Sequence, residues 1–180
     1  MFGDKQVVLD KFIKKFINGD ASAFDEIYNR TRKSVYYVAL SILRDKALAE
    51  DVMQTTYMRV LKNIQSYTLG TNASAWIIKI TKNEAINIKK VRMREHSVDE
   101  YENDTLFGVS EIDTYGELID LAKRLLPDDE FSILMLVTAC GYKRKEIGQM
   151  LDMPIPTVTW KYQNALLKMR KALEKEGYYK

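Results

Sequence analysis

The chain has 180 residues, enough for one domain or two small ones, and its 46% hydrophobic content argues against wholesale disorder. No apolar run approaches membrane-span length, and a single cysteine excludes an intrachain disulfide framework or a cysteine-rich zinc site. The formal net charge of +3 is unevenly spread: residues 1–94 carry 17 Lys/Arg against 9 Asp/Glu, and residues 95–120 carry nine acids and no Lys/Arg.

Taken in order, almost every element reads as helix, since proline occurs only at 127, 154 and 156 and no sustained two-residue alternation suggests a sheet. A first helix over 4–17 is charged at Asp4, Lys5, Asp10 and Lys11, which leaves no apolar signal core and predicts a cytoplasmic protein. It ends at Asn18-Gly19-Asp20, where glycine permits a left-handed cap. A second helix over 21–43 buries Phe24, Ile27, Tyr28, Val35, Val38 and Ile42, and a third covers 46–64. Residues 66–72 form a loop, followed by a helix over 73–93. Unrolled at ~100° per residue, this helix sets Ala73, Trp76, Ile77, Ile80, Ile88 and Val91 against Lys79, Lys82, Asn83, Lys89 and Lys90. Two readings fit: a core stripe with a solvated back, or a basic, partly aromatic surface for a nucleic-acid strand.

Residues 94–113 read as an irregular acidic linker, and helices follow over 114–126, 128–140 and 143–151. Cys140 ends an apolar run and reads as a small buried hydrophobe. His96, the only histidine, sits in a polar stretch and reads as solvated, so neither offers a nucleophile–base pair. Met153-Pro154-Ile155-Pro156 enforces an extended turn, because proline lacks a donor N–H and pushes the preceding residue out of helical angles. Thr157 is placed to cap a final helix over 157–176, with Val158, Tyr162, Ala165, Leu166, Met169 and Leu173 inward and Trp160, Lys161, Gln163, Asn164, Leu167, Lys168 and Lys171 outward. A helix, a tight turn and a second helix with a polar N-terminal face make a helix-turn-helix plan. In such a plan the first helix braces while the second reaches base edges.

Two motifs at this spacing carry a resemblance. Ala49-Glu50-Asp51-Val52-Met53-Gln54 within residues 19–67, continued by Trp76 and Asn83, resembles region 2 of RNA polymerase sigma factors of the sigma-70 family, extracytoplasmic-function type. Glu146, Ile147, Leu151, Pro154, Thr157 and Val158 follow the pattern of region 4. The resemblance implies an all-α chain of two small helical domains, region 2 over 1–94 and region 4 over 114–180, joined by a flexible acidic linker over 95–113. It implies core RNA polymerase and promoter DNA as partners, an anti-sigma factor as a further candidate, and no cofactor, metal, small-molecule substrate or catalytic site. Glu50, Asp51 and Gln54 would meet the polymerase. Tyr67, Asn72, Trp76, Lys79, Lys82 and Asn83 would meet the −10 element, with the loop at 67–72 capturing an unstacked base. Thr157, Trp160, Lys161, Asn164 and Lys168 would meet the −35 element. The chain departs from the family at Pro156, where glycine is usual, at Asp152, where a helix-ending glycine is common, and in a recognition helix poor in arginine.

Two rival classes share parts of this pattern. A helix-turn-helix regulator acting without polymerase needs a dimer interface or ligand pocket, and no heptad run supplies one. A helical adaptor that touches no DNA would leave both lysine arcs merely solvated. Glu50-Asp51 has its own second reading, as favourable charge in the first turn of a helix.

Overall fold

The computed structural model describes residues 4–95 and 116–175, and every regular element in those spans is helical. The helices are α1 (Asp4–Ile17), α2 (Ala23–Leu43), α3 (Lys46–Asn63), α4 (Ala73–Glu95), α5 (Gly116–Leu125), α6 (Asp128–Thr138), α7 (Arg144–Leu151) and α8 (Ile155–Lys175), with a short 3₁₀ turn at Ile64–Ser66. Most of the acidic linker, with His96, lies outside the described residues.

Local chemistry sets the boundaries. Gly19 takes φ +99° after α1, a conformation that costs glycine nothing. The Asp45 carboxylate accepts the Leu48 N–H at 3.1 Å and caps α3. Glu146 accepts the Lys143 N–H at 2.7 Å across the start of α7, which gives this family-pattern residue a structural duty. Asp152 ends α7 in left-handed backbone, φ 57° and ψ 52°, as its short polar side chain allows. The final helix begins two residues earlier than expected. Pro156 falls in its first turn and the Pro154 carbonyl accepts the Val158 N–H at 3.1 Å, so Thr157 lies inside the helix and is not its cap.

α2 is the axis of the molecule. From Ser34 to Ser41 every residue is buried, a wider face than the stripe of Val35, Val38 and Ile42. The reason is that α1, α3 and α4 cover one side and α6 the other. One apolar cluster joins Val35, Val38, Ile77 and Ile78 to Ile133, Leu136, Tyr142, Ile147 and Val158. A second joins Tyr37, Leu40, Val52 and Ala85 to Ile119, Phe131, Leu134 and Met169. The helices before and after the linker therefore share their apolar core in this conformation. Polar pairs cross the same boundary. The Ser132 hydroxyl donates to Ser41 Oγ at 2.6 Å, and Arg44 donates to Asp128 Oδ1 at 2.6 Å, to the Leu126 carbonyl at 2.8 Å and to the Lys123 carbonyl. Tyr142, between α6 and α7, is buried against Ser34 and Ser74, and burial pushes its phenol above the ordinary value.

Candidate nucleic-acid interface

α3 begins at Lys46, so Glu50 and Asp51 lie beyond its first turn, and the helix-dipole reading of these acids does not hold. Asp51 and Gln54 are exposed and Glu50 is half-buried. Met58 and Leu61, 71% and 42% exposed, continue the line. At 51, 54, 58 and 61 the spacing is that of one helix face, an acidic end running into an apolar one. Met58 and Leu61 were not singled out in the sequence, although that spacing was legible in it.

A different face of the α3–α4 pair is basic. Lys79, Asn83, Lys90 and Arg94 are exposed along α4, and Lys82 is half-buried beside them. Arg59 joins from α3. Its guanidinium lies 2.9 Å from Glu84, whose side chain is only 9% exposed, while the arginine remains 55% exposed. A buried carboxylate needs such a partner, and the pair pins a cation where α3 meets α4. Arg59 and Arg94 were absent from the sequence-based site. Lys89, by contrast, turns to Asp128 at 3.2 Å. The apolar face of α4 is also rotated from expectation: Ile77, Ile78, Thr81, Glu84 and Ala85 are buried, and Val91 is 49% exposed because the last turns of α4 outrun the bundle.

The loop before α4 is held by its own side chains. Tyr67 is buried, its ring centroid 5.2 Å from that of Trp76, and its one hydroxyl hydrogen is shared between Asp10 Oδ1 at 2.7 Å and the Thr71 carbonyl at 2.9 Å. The Gly70 N–H donates to Asp10 Oδ2 at 3.0 Å. Asn72 Oδ1 accepts the Ala75 N–H at 2.9 Å, capping α4, while Asn72 Nδ2 donates to Gln149 Oε1 of α7 at 2.9 Å. Trp76 is half-buried and packs against the first apolar cluster, so the core reading accounts for much of its ring. Tyr67 and Asn72 thus act first on the shape of the loop, and its exposed tip is Thr68, Leu69 and Gly70.

In the second half, α7 opens with exposed Lys143, Arg144 and Lys145, and Arg144 lies 5.3 Å above the Tyr162 ring. Trp160 is 58% exposed on α8. Lys161 pairs with Asp129, and Lys168 with Glu130 at 2.8 Å, so both of these candidate DNA contacts are tied to the first turn of α6. Thr157 and Asn164 are half-buried. Leu166, expected inward, is 42% exposed beside Leu167 at 53%, because Ala165 and Met169 already fill the inner face. Among the described residues no cluster of His, Cys, Asp or Glu could hold a metal ion, and no helix is long and apolar enough to cross a membrane.

Residues 27–95 match the family model of sigma-70 region 2. The chain is 24% identical to the extracytoplasmic-function RNA polymerase sigma factor SigW of Bacillus subtilis, covering 93% of this chain and 98% of that protein. The sigma factor RpoE of Bartonella quintana, solved with the anti-sigma factor NepR, has a similar fold at 20% identity, with a TM-score of 0.63 over 84% of this chain and 96% of that one. CnrH, solved with the cytosolic domain of CnrY, matches at 14% identity and TM-score 0.63 over 96% and 99%.

Proposed function

Because the chain belongs to the sigma-70 family of RNA polymerase sigma factors, in its extracytoplasmic-function group, we propose that three surfaces divide the work of bringing core polymerase to a promoter. The acidic–apolar stripe of α3, Glu50, Asp51, Gln54, Met58 and Leu61, docks on the polymerase. Adjacent acids suit a basic partner helix, and Met58 and Leu61 supply the apolar contact that exposed charge alone does not. The basic stripe of α4 with Arg59 follows the phosphates of the −10 strand, while the loop at 67–72 and the start of α4 receive an unstacked base. α7 and α8 take the −35 element, with Trp160 and Asn164 at base edges and Lys143 and Lys145 toward phosphates.

In this reading α1 to α4 form region 2, α5 to α8 form region 4, and the protein works in the cytoplasm, where polymerase meets DNA. An anti-sigma factor is a further partner to seek, since the similar sigma factor RpoE was solved with one. The observation that carries the reading is that α3 exposes Asp51, Gln54, Met58 and Leu61 along one line while α4 exposes Lys79, Asn83, Lys90 and Arg94 along another. Two surfaces of opposite character suit two partners of opposite charge held at once. Replacing Glu50 and Asp51 together by lysine should weaken core-polymerase binding about tenfold or more and leave helical content intact, since like charges at an interface are costly. Unchanged affinity in a core-binding titration would remove the acids from the interface.

A further inference from the structure

The loop between α3 and α4 owes its shape to a residue of α1. Asp10 is half-buried, and its helix neighbours Leu9 and Ile13, at 2% and 0% exposure, lock that turn of α1 into the core. Its two carboxylate oxygens are used separately: Oδ1 accepts the Tyr67 hydroxyl at 2.7 Å and Oδ2 accepts the Gly70 N–H at 3.0 Å. One donor precedes the loop tip and the other lies within it. Between them Thr68 is the anchor of a tight turn, its carbonyl accepting the Thr71 hydroxyl at 2.7 Å and the Thr71 N–H at 3.2 Å. Gly70 sits at φ +85°, left-handed backbone that the Asp10 contact helps to retain. The outward side chains of the turn are open to a partner, with Leu69 at 43% exposure.

We infer that Asp10 is a positioning residue for promoter reading: from α1 it fixes the loop tip in the shape that receives the unstacked −10 base. This rests on the assignment of that loop to the −10 strand. A pocket for an extruded base must be held to a fraction of an ångström, because unstacking has already been spent and a loose tip returns little of it. A carboxylate facing DNA directly would repel phosphate. Asp10 avoids this by turning both oxygens to donors of the loop, so its effect on DNA is indirect.

The test uses the full chain assembled with core polymerase, on promoter DNA in which the non-template −10 bases are varied one position at a time. Asp10→Ala removes both hydrogen bonds that the carboxylate accepts from the loop and should cut discrimination at one base position about tenfold. Core affinity measured without DNA should match the parent. Asp10→Asn should restore most of the discrimination, because its amide oxygen can accept the Gly70 N–H while its amine donates to the Tyr67 oxygen. Full discrimination in Asp10→Ala would overturn the inference, as would a loss that falls equally on all positions and on core binding. Should Asp10→Ala not fold, Tyr67→Phe carries the same expectation through the hydroxyl alone. A tip variant, Thr68→Gly with Leu69→Gly, separates the two levels. If it loses discrimination while Asp10→Ala keeps it, only the role of Asp10 falls; if it too discriminates normally, the loop is not the reader and both readings fall.

Discussion

Arg44 stands in left-handed backbone, φ 60° and ψ 9°, at the end of α2, where glycine or asparagine would be the relaxed choice. Its side chain offsets that strain. The guanidinium reaches the α5–α6 junction, donating to Asp128 and to two main-chain carbonyls that no helix satisfies, and it lies 5.5 Å from the Phe131 ring. Two substitutions separate the opposing effects. Arg44→Ala loses the clasp and keeps the strain; Arg44→Gly loses the clasp and relieves it. Chemical unfolding should rank the parent above glycine and glycine above alanine, with the two variants about 1 kcal/mol apart from backbone strain alone. The clasp itself should be worth about 1–3 kcal/mol, a hydrogen-bonded charge that is partly exposed. An alanine variant as stable as the parent would show that the clasp contributes nothing, and a glycine variant as stable as the parent that it only offsets the strain. Nothing beside Arg44 in the chain signals this clasp, because its partners lie about eighty residues away.

Between α7 and α8 the chain turns within three residues, and Gly148 makes that turn possible. A Cβ at Gly148 would stand 2.7 Å from the Met153 carbonyl oxygen, a backbone atom that cannot swing aside. In an ordinary exposed helix, glycine to alanine stabilises by roughly 0.5–1 kcal/mol. Here Gly148→Ala should destabilise by about 1–3 kcal/mol, the usual cost of overpacking, and should weaken binding to −35 DNA more than core-polymerase binding. Stabilisation would mean that the turn yields freely. The turn itself was legible from Pro154, which pushes Met153 out of helical angles, whereas Pro156 lies in the first turn of α8, where proline is tolerated. Legible for the same kind of reason were the helices, the left-handed Asp152, and the exposure of Asp51, Gln54, Lys79, Asn83 and Trp160. The roles of Tyr67 and Asn72 were not, because they depend on Asp10 and Gln149 from other helices. Lys161 and Lys168 read as free cations until the acids of α6 are placed beside them.

At the scale of the molecule, helical periodicity reports one buried face per helix, and it reported α2 as half-exposed. The stretch Ser34–Ser41 is buried all round because two sets of helices close on it, with Ser41 and Ser132 meeting hydroxyl to hydroxyl in the contact. Small polar residues at both positions let α2 and α6 approach closely, and a sequence pattern scores each of them as a surface residue. A protease site introduced within 96–115 then gives a direct measure of how firmly the halves hold each other. After cleavage at neutral pH the two fragments should elute together, since the shared apolar clusters and the Arg44 clasp do not depend on the connection. Ser132→Arg should part them. Ser132 is 5% exposed against α2, and a guanidinium there would overfill that contact and bury a charge, at a cost of several kcal/mol that either separation of α2 from α6 or local unfolding must relieve. Circular dichroism on the separated fragments distinguishes these routes, because separation preserves helix content and local unfolding lowers it. Cleaved parent halves that elute apart would show that the shared core holds only while the chain tethers it. The surfaces proposed for the −10 and −35 elements would then be free to move independently from the start.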